Sequence, residues 1–205
     1  MCPGATGGGS VAELLRLALD LLTGLELGGL ETGRLRFELS HSGLVLAALG
    51  AAGLDRAAQL AMQDRLFDGD TGAITELVAA HPEQAGMLRV LFEVDGGGAG
   101  YLANLRAALA AVPEAEQPIA ALEAAARSLA AAGCACTVAP ASARSVEYYT
   151  GVTFRAFAAG VECLRGGRYD GLAETIGGTP VPASGFAADL LRLAALAPLA
   201  EAGPQ

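Results

Sequence analysis

The strongest constraint on how this chain can fold is a change of hydrophobic period near Gly133. From Asp55 to about Leu129 apolar residues recur at helical spacing, broken only at Gly69, Pro82 and the Gly96-Gly97-Gly98 run. Candidate helices there are Asp55–Phe67, Thr71–Ala80, Glu83–Phe92 and Tyr101–Ala111, followed by one that Pro118 precedes and that runs to about Ala132. Beyond Gly133 the period becomes two. Cys136, Thr137 and Val138 read as a short strand. In the β-rich run from Tyr148 to Phe157, Val152 and Phe154 share one face and Thr153 and Arg155 the other. Gly160 marks a hairpin with Val161–Leu164 returning, and Gly166-Gly167 reads as a sharp turn or bulge. Pro182–Ala187 is a final strand, and Ala188–Leu196 a closing helix that Pro198 stops.

Ahead of the helical block, residues 1–9 read as a flexible leader, and Ser10 with Glu13 forms a capping box. A helix carrying Leu14, Leu15, Ala18, Leu21 and Leu22 follows. Leu35, Phe37 and Leu39 then alternate with Arg36 and Glu38 as in a half-buried strand, and Gly43 to Ala52 is again helical. The order predicts an α+β fold: an antiparallel sheet with helices on one side and a helical insertion over about 55–132. The glycine run at 96–98 is expected as a flexible connection.

Charge narrows the function classes. A net charge of −9 disfavours a broad nucleic-acid interface, which needs clustered Lys and Arg. No apolar run is long enough for a membrane span, and residues 1–9 lack the pattern of a secretory signal, so a cytoplasmic protein is expected. Cys134 and Cys136 make a C-x-C pair rather than a C-x-x-C, and His41 and His81 stand far apart, so no metal or cofactor site is expected and the cysteines read as free thiols.

Polar chemistry concentrates in three late segments. Arg144 precedes Tyr148 and Tyr149; Gly166-Gly167-Arg168-Tyr169-Asp170 follows; then comes Pro182-Ala183-Ser184-Gly185-Phe186-Ala187, leading into a helix with Arg192. Glycines let backbone approach a ligand, arginine takes carboxylate or phosphate, and tyrosine offers an apolar wall with a polar tip.

In order and combination these segments resemble histidyl-tRNA synthetases. Those enzymes carry an Arg-Gly-Leu-Asp-Tyr-Tyr-like loop that reads histidine, then a Gly-Gly-Arg-Tyr-Asp segment, then a Gly-Phe-Ala helix ending in Arg-Leu. Ser40-His41-Ser42-Gly43-Leu44 is similar to the stretch after the family's second signature. The resemblance covers most of residues 10 to 197, the helical block matching only in general character, and implies a partial class II synthetase core over 10–205. It implies a histidine pocket of Arg144, Tyr148, Tyr149, Gly166, Gly167, Arg168 and Tyr169, and a vestigial ATP site at Gly185 and Arg192. Two departures point to the non-aminoacylating branch, the regulatory subunits of ATP phosphoribosyltransferase. Asp189 and Leu191 stand where the synthetases have Gly and Glu, and no anticodon-binding domain follows. That branch implies histidine sensing, a short catalytic subunit as partner and no catalysis by this chain. The alternative is a fragment that activates histidine with ATP. The family's first two signatures are not visible, and the chain is expected to be truncated at its N-terminus.

Overall fold

The computed structural model describes residues 11–25, 34–92, 96–140 and 149–196. Ser10 of the expected capping box, Arg144 and Tyr148 lie outside them. Within them, α1 (Val11–Gly24) leads to β1 (Leu35–His41) and directly into α2 (Ser42–Ala51). The helical block gives α3 (Arg56–Phe67), α4 (Thr71–Ala80), α5 (Ala85–Phe92), the two-residue strand β2 (Gly96–Gly97), α6 (Gly98–Ala108) and α7 (Glu116–Ala131). Then come β3 (Ala135–Val138), β4 (Val152–Ala158), β5 (Val161–Arg168), the short α8 (Leu172–Thr175), β6 (Ser184–Ala188) and α9 (Leu190–Leu196).

The strands make one sheet in the order β2-β3-β1-β4-β5-β6. It is antiparallel throughout except at β1–β3, where Phe37 lies beside Cys136 in a parallel pair. The connection from β1 to β3 carries α2 through α7, which is ample for a crossover between parallel strands. α7 packs on β1, β3 and β4, while α1 packs on β5 and β6.

Alternation sorts the sheet into two faces. Leu35, Phe37 and Leu39 share a face with Phe154, Ala156 and Leu164, and these side chains are buried. Phe37 and Phe154 meet with ring centroids 5.9 Å apart, and Phe154 meets Phe186 edge-on at 6.5 Å. The other face is charged. Glu38 accepts from Arg155, Arg155 also pairs with Glu162 at 3.5 Å, and Glu162 takes Arg165 at 2.6 Å. The Arg36 guanidinium lies 4.3 Å from the centre of the Phe157 ring.

Two glycine readings change. Gly96 and Gly97 are no flexible connection but an edge strand antiparallel to β3. The Tyr101 ring lies so close over Gly96 that any Cβ there would sit 2.0 Å from it. Gly166-Gly167 is no turn either. Both residues lie inside β5, paired with β4 on one side and β6 on the other, and the bulge falls instead between Ala156 and Phe157. Gly166 is required because its neighbours in register, Phe154 and Phe186, meet across it. A Cβ at 166 would stand 2.5 Å from both the Gly185 carbonyl oxygen and the Phe186 Cβ.

The expected hairpin at Gly160 is present. Ala159 and Gly160 both adopt positive φ, 48° and 82°, which is the conformation a tight two-residue hairpin demands. α7 begins at Glu116, so Pro118 sits within its first turn, where its missing N–H has no helical acceptor to lose. Cys134, Cys136 and Cys163 are free, and burial pushes the Cys134 thiol up to about 11.

These close contacts predict opposite outcomes for two glycine substitutions. Gly166→Ala forces backbone and Phe186 apart and costs about 1–3 kcal/mol by overpacking. Gly86, inside α5 with nothing within 4 Å of the place a Cβ would take, gains helix propensity on replacement by Ala and should hold or raise stability. Thermal unfolding followed by circular dichroism distinguishes the two; equal melting temperatures would contradict the packing described at Gly166.

Candidate functional site

At one end of the sheet the glycines create a flat strip of backbone. Gly167 of β5 and Gly185 of β6 are direct partners in register, on the charged rather than the helix-covered face. Tyrosines occupy the space their missing side chains leave. A Cβ at Gly167 would lie 2.9 Å from Tyr149 Cε1, and one at Gly185 would lie 2.5 Å from the Tyr169 hydroxyl oxygen. The two rings stand 6.1 Å apart, tilted at 58°. The result is a half-buried aromatic wall with phenol tips over bare peptide, suited to a small, flat, partly polar ligand.

Side chains that were not among the expected pocket residues hold this wall. Ser42, at the β1–α2 junction, donates through Oγ to the Tyr149 carbonyl at 3.2 Å. Asp170 braces three segments at once. Its carboxylate accepts from Arg168 Nε at 2.6 Å and from the Ala183 amide at 3.0 Å, and its own amide donates to Thr150 Oγ1 at 3.0 Å. The Tyr169 amide donates to the Ala183 carbonyl at 2.8 Å. The loop after Tyr169 is thereby closed at its neck. The signal for Asp170 was its place two residues after Arg168; nothing in the pattern showed that it also holds Ala183, thirteen residues on.

His41 ends β1 at this same end of the sheet, opposite Val152. Its Nδ1 accepts from the Gly43 amide at 3.1 Å and so caps α2, which leaves the proton on Nε2. Burial pushes the imidazole down to about 4.

The structure brings Tyr149, Gly167, Tyr169 and Gly185 together and turns Gly166 to the opposite face. Arg168 is ion-paired with Asp170, and its side chain packs over Gly151, where a Cβ would meet it at 3.1 Å. Arg192 lies elsewhere. It reaches the Glu162 carbonyl at 2.8 Å and pairs with Asp189 at 3.1 Å, beside a cavity of about 260 Å³ bordered by Arg165 and Ala187. Glu162 precedes Gly167 by five strand residues, roughly 17 Å along β5. Asp189, one of the two departures from the synthetase pattern, also accepts the Arg192 amide at 3.1 Å and so caps α9. Among the described residues no three His, Cys, Asp or Glu side chains gather as metal ligands would, and no helix is long and apolar enough to cross a membrane.

This mostly antiparallel sheet, with its aromatic and glycine end, is the core of a class II aminoacyl-tRNA synthetase-type fold. The histidyl-tRNA synthetase family matches residues 2–193, and the chain belongs to that family. An ATP phosphoribosyltransferase regulatory subunit from Dehalococcoides mccartyi is 39% identical over 191 residues, covering 93% of this chain and 45% of that protein. A Bacillus halodurans structure, described as an ATP phosphoribosyltransferase regulatory subunit/histidyl-tRNA synthetase, superposes with a TM-score of 0.75 at 19% identity, covering 93% of this chain and 51% of its own. An ATP phosphoribosyl transferase complex from Thermotoga maritima contains a chain with a TM-score of 0.59 at 14% identity, covering 80% of this chain and 57% of that one. These two structures share the fold. The chain spans about half the length of the relatives it matches.

The buried imidazole predicts an acid-sensitive fold. The unfolded chain binds a proton at His41 near pH 6.5 while the folded chain resists until about pH 4, so the stability from the neutral ring is complete above 6.5 and lost as pH falls toward 4. His41→Asn, which keeps a capping acceptor without a titrating ring, should flatten that decline. Urea unfolding midpoints across this range test it; an unchanged pH dependence in the variant would assign the decline to other groups.

Proposed function

We propose that this chain serves as a regulatory, histidine-sensing subunit of ATP phosphoribosyltransferase, acting at the first step of L-histidine biosynthesis. The observation that carries the reading is the 39% identity to a protein of that name across 93% of the chain. A short catalytic subunit performs phosphoribosyl transfer, and this chain adjusts its activity according to histidine occupancy. Regulation of this kind requires that histidine bind two states of the assembly with different affinity.

The proposed pocket is the aromatic and glycine end of the sheet. The histidine ring lies against Tyr149 and Tyr169 over Gly167, with Tyr148 and Arg168 completing the surroundings. Arg144 takes the ligand carboxylate in a charge-assisted pair. Gly185 and Arg192 are the remnant of an ATP site. In support of a site no longer used for ATP, Arg192 is paired with Asp189, whose carboxylate would repel a phosphate brought to that arginine. The net charge of −9 supports a role without nucleic acid.

Calorimetric titration of L-histidine into the chain combined with a short phosphoribosyltransferase subunit tests the assignment. Binding is expected, weakened about tenfold or more by Arg144→Ala through loss of a charged hydrogen bond. An affinity unchanged by that substitution removes Arg144 from the pocket. Histidine-dependent exchange of pyrophosphate into ATP would instead favour an amino-acid-activating enzyme.

A further inference from the structure

The spacing of the two tyrosine rings is set from Thr150, the residue next to Tyr149. Thr150 grips the chain on both sides of Tyr169. Its amide donates to the Arg168 carbonyl at 2.9 Å, and its Oγ1 accepts from the Asp170 amide at 3.0 Å. The Tyr169 amide points the other way, to the Ala183 carbonyl at 2.8 Å. The residue carrying the second ring is therefore tied to the entry of β4 along one edge and to the entry of β6 along the other. Bonds on both edges fix it against rotation about the strand axis.

Arg168 closes the arrangement from behind. Alternation along β5 puts Gly167 and Tyr169 on the pocket face and Gly166 and Arg168 on the opposite one. Arg168 lays its carbons over Gly151, where a Cβ would stand 3.1 Å from Arg168 Cβ and 3.2 Å from Arg168 Cδ. Its Nε then donates to Asp170 Oδ2 at 2.6 Å, while Asp170 Oδ1 takes the Ala183 amide at 3.0 Å. The guanidinium thus joins the residues before and after Tyr169 on the side away from the ring. The packed stem limits where the charged end can go.

We propose that Thr150, Arg168 and Asp170 are positioning residues of the pocket. Together they hold the Tyr169 ring over Gly185, 6.1 Å from the Tyr149 ring, and Arg168 acts on a ligand through that ring rather than by touching it. The inference rests on the reading of this end of the sheet as the histidine pocket. A direct contact would require Arg168 to cross to the pocket face. It would give up a charge-assisted bond of 2.6 Å and its packing on Gly151. Holding the rings in place beforehand spares a ligand the entropy of ordering them, so affinity depends on side chains that never meet it.

A mutant cycle separates the two roles for Arg168. L-Histidine is titrated calorimetrically into the chain combined with a short phosphoribosyltransferase subunit. Asp170→Asn keeps Oδ1 for Ala183 but loses the ion pair, and Arg168→Met keeps an apolar stem over Gly151. Each should weaken binding about three- to tenfold, and the double substitution no further than the weaker single one. Were Arg168 a ligand contact, Asp170→Asn would free its guanidinium and hold or raise affinity; that outcome overturns the proposal. Thr150→Val exchanges only the hydroxyl for a methyl and should weaken binding similarly, while Thr150→Ser restores it. Fluorine NMR of the unliganded chain carrying fluorotyrosine tests the clamp apart from histidine binding. The Tyr169 signal, identified by its loss in Tyr169→Phe, should shift in Thr150→Val and Asp170→Asn but not in Thr150→Ser. The signal of the buried Tyr101 should stay in place throughout and reports on the fold. A Tyr169 signal unmoved in both variants overturns the proposal. The expected fluorine shifts in a chain that takes no histidine support the clamp and overturn the histidine assignment instead.

Discussion

The close approach of β4, β5 and β6 at Gly166 and Gly167 is the contact on which the rest of the arrangement depends. On one face, Phe154 and Phe186 meet across Gly166 and join the sheet to the apolar core that α1 and α7 cover. On the other, the bare backbone of Gly167 and Gly185 gives Tyr149 and Tyr169 a surface to lie on. Two adjacent glycines thus serve opposite faces through the two-residue period of a strand. One supports packing and the next supports the candidate site, so the core and the site cannot vary independently here.

Polar bonds then hold the glycine end in place. Asp170 binds Arg168, Ala183 and Thr150 together, Ser42 ties the start of α2 to Tyr149, and His41 caps α2 one residue earlier. Four chain segments converge here, one of them more than a hundred residues from the rest, and apart from Arg168 the side chains that join them are short. Short side chains lose little rotamer freedom when fixed, so such bonds position the tyrosines at low entropic cost. The charged face beyond this end, with Glu38, Arg155, Glu162 and Arg165 linked across three strands, contributes order more than energy, since partly exposed ion pairs are individually weak.

Much of this was legible from residue pattern. The alternation of Leu35, Phe37 and Leu39 identified β1, the two faces of β4 followed from Val152 to Arg155, and the hairpin followed from Gly160. What the pattern concealed was the meaning of paired glycines. Gly166-Gly167 and Gly96-Gly97 both read locally as breaks, yet both are strands, because the side chains that exclude a Cβ come from elsewhere: Phe186 on a different strand, Tyr101 on the following helix. Propensity describes a residue alone, and these positions are decided by neighbours. The parallel pairing of β1 with β3 was hidden for the same reason, since strand direction depends on the path of the chain between them. Of the candidate site, the tyrosines and glycines were readable as a group; the brace at Asp170 and the distance of Arg192 from Gly167 were not, because both depend on register.

That parallel pair also bears on how the molecule is assembled in time. Arg36 lies beside Ala135, so pairing at the centre of the sheet closes a loop of nearly a hundred residues. The β4–β5 hairpin, by contrast, joins residues separated by a two-residue turn. Loop-closure entropy favours the hairpin early and the β1–β3 contact late. Phe37 and Leu39, wholly buried in the finished sheet, depend on that late contact for one side of their surroundings.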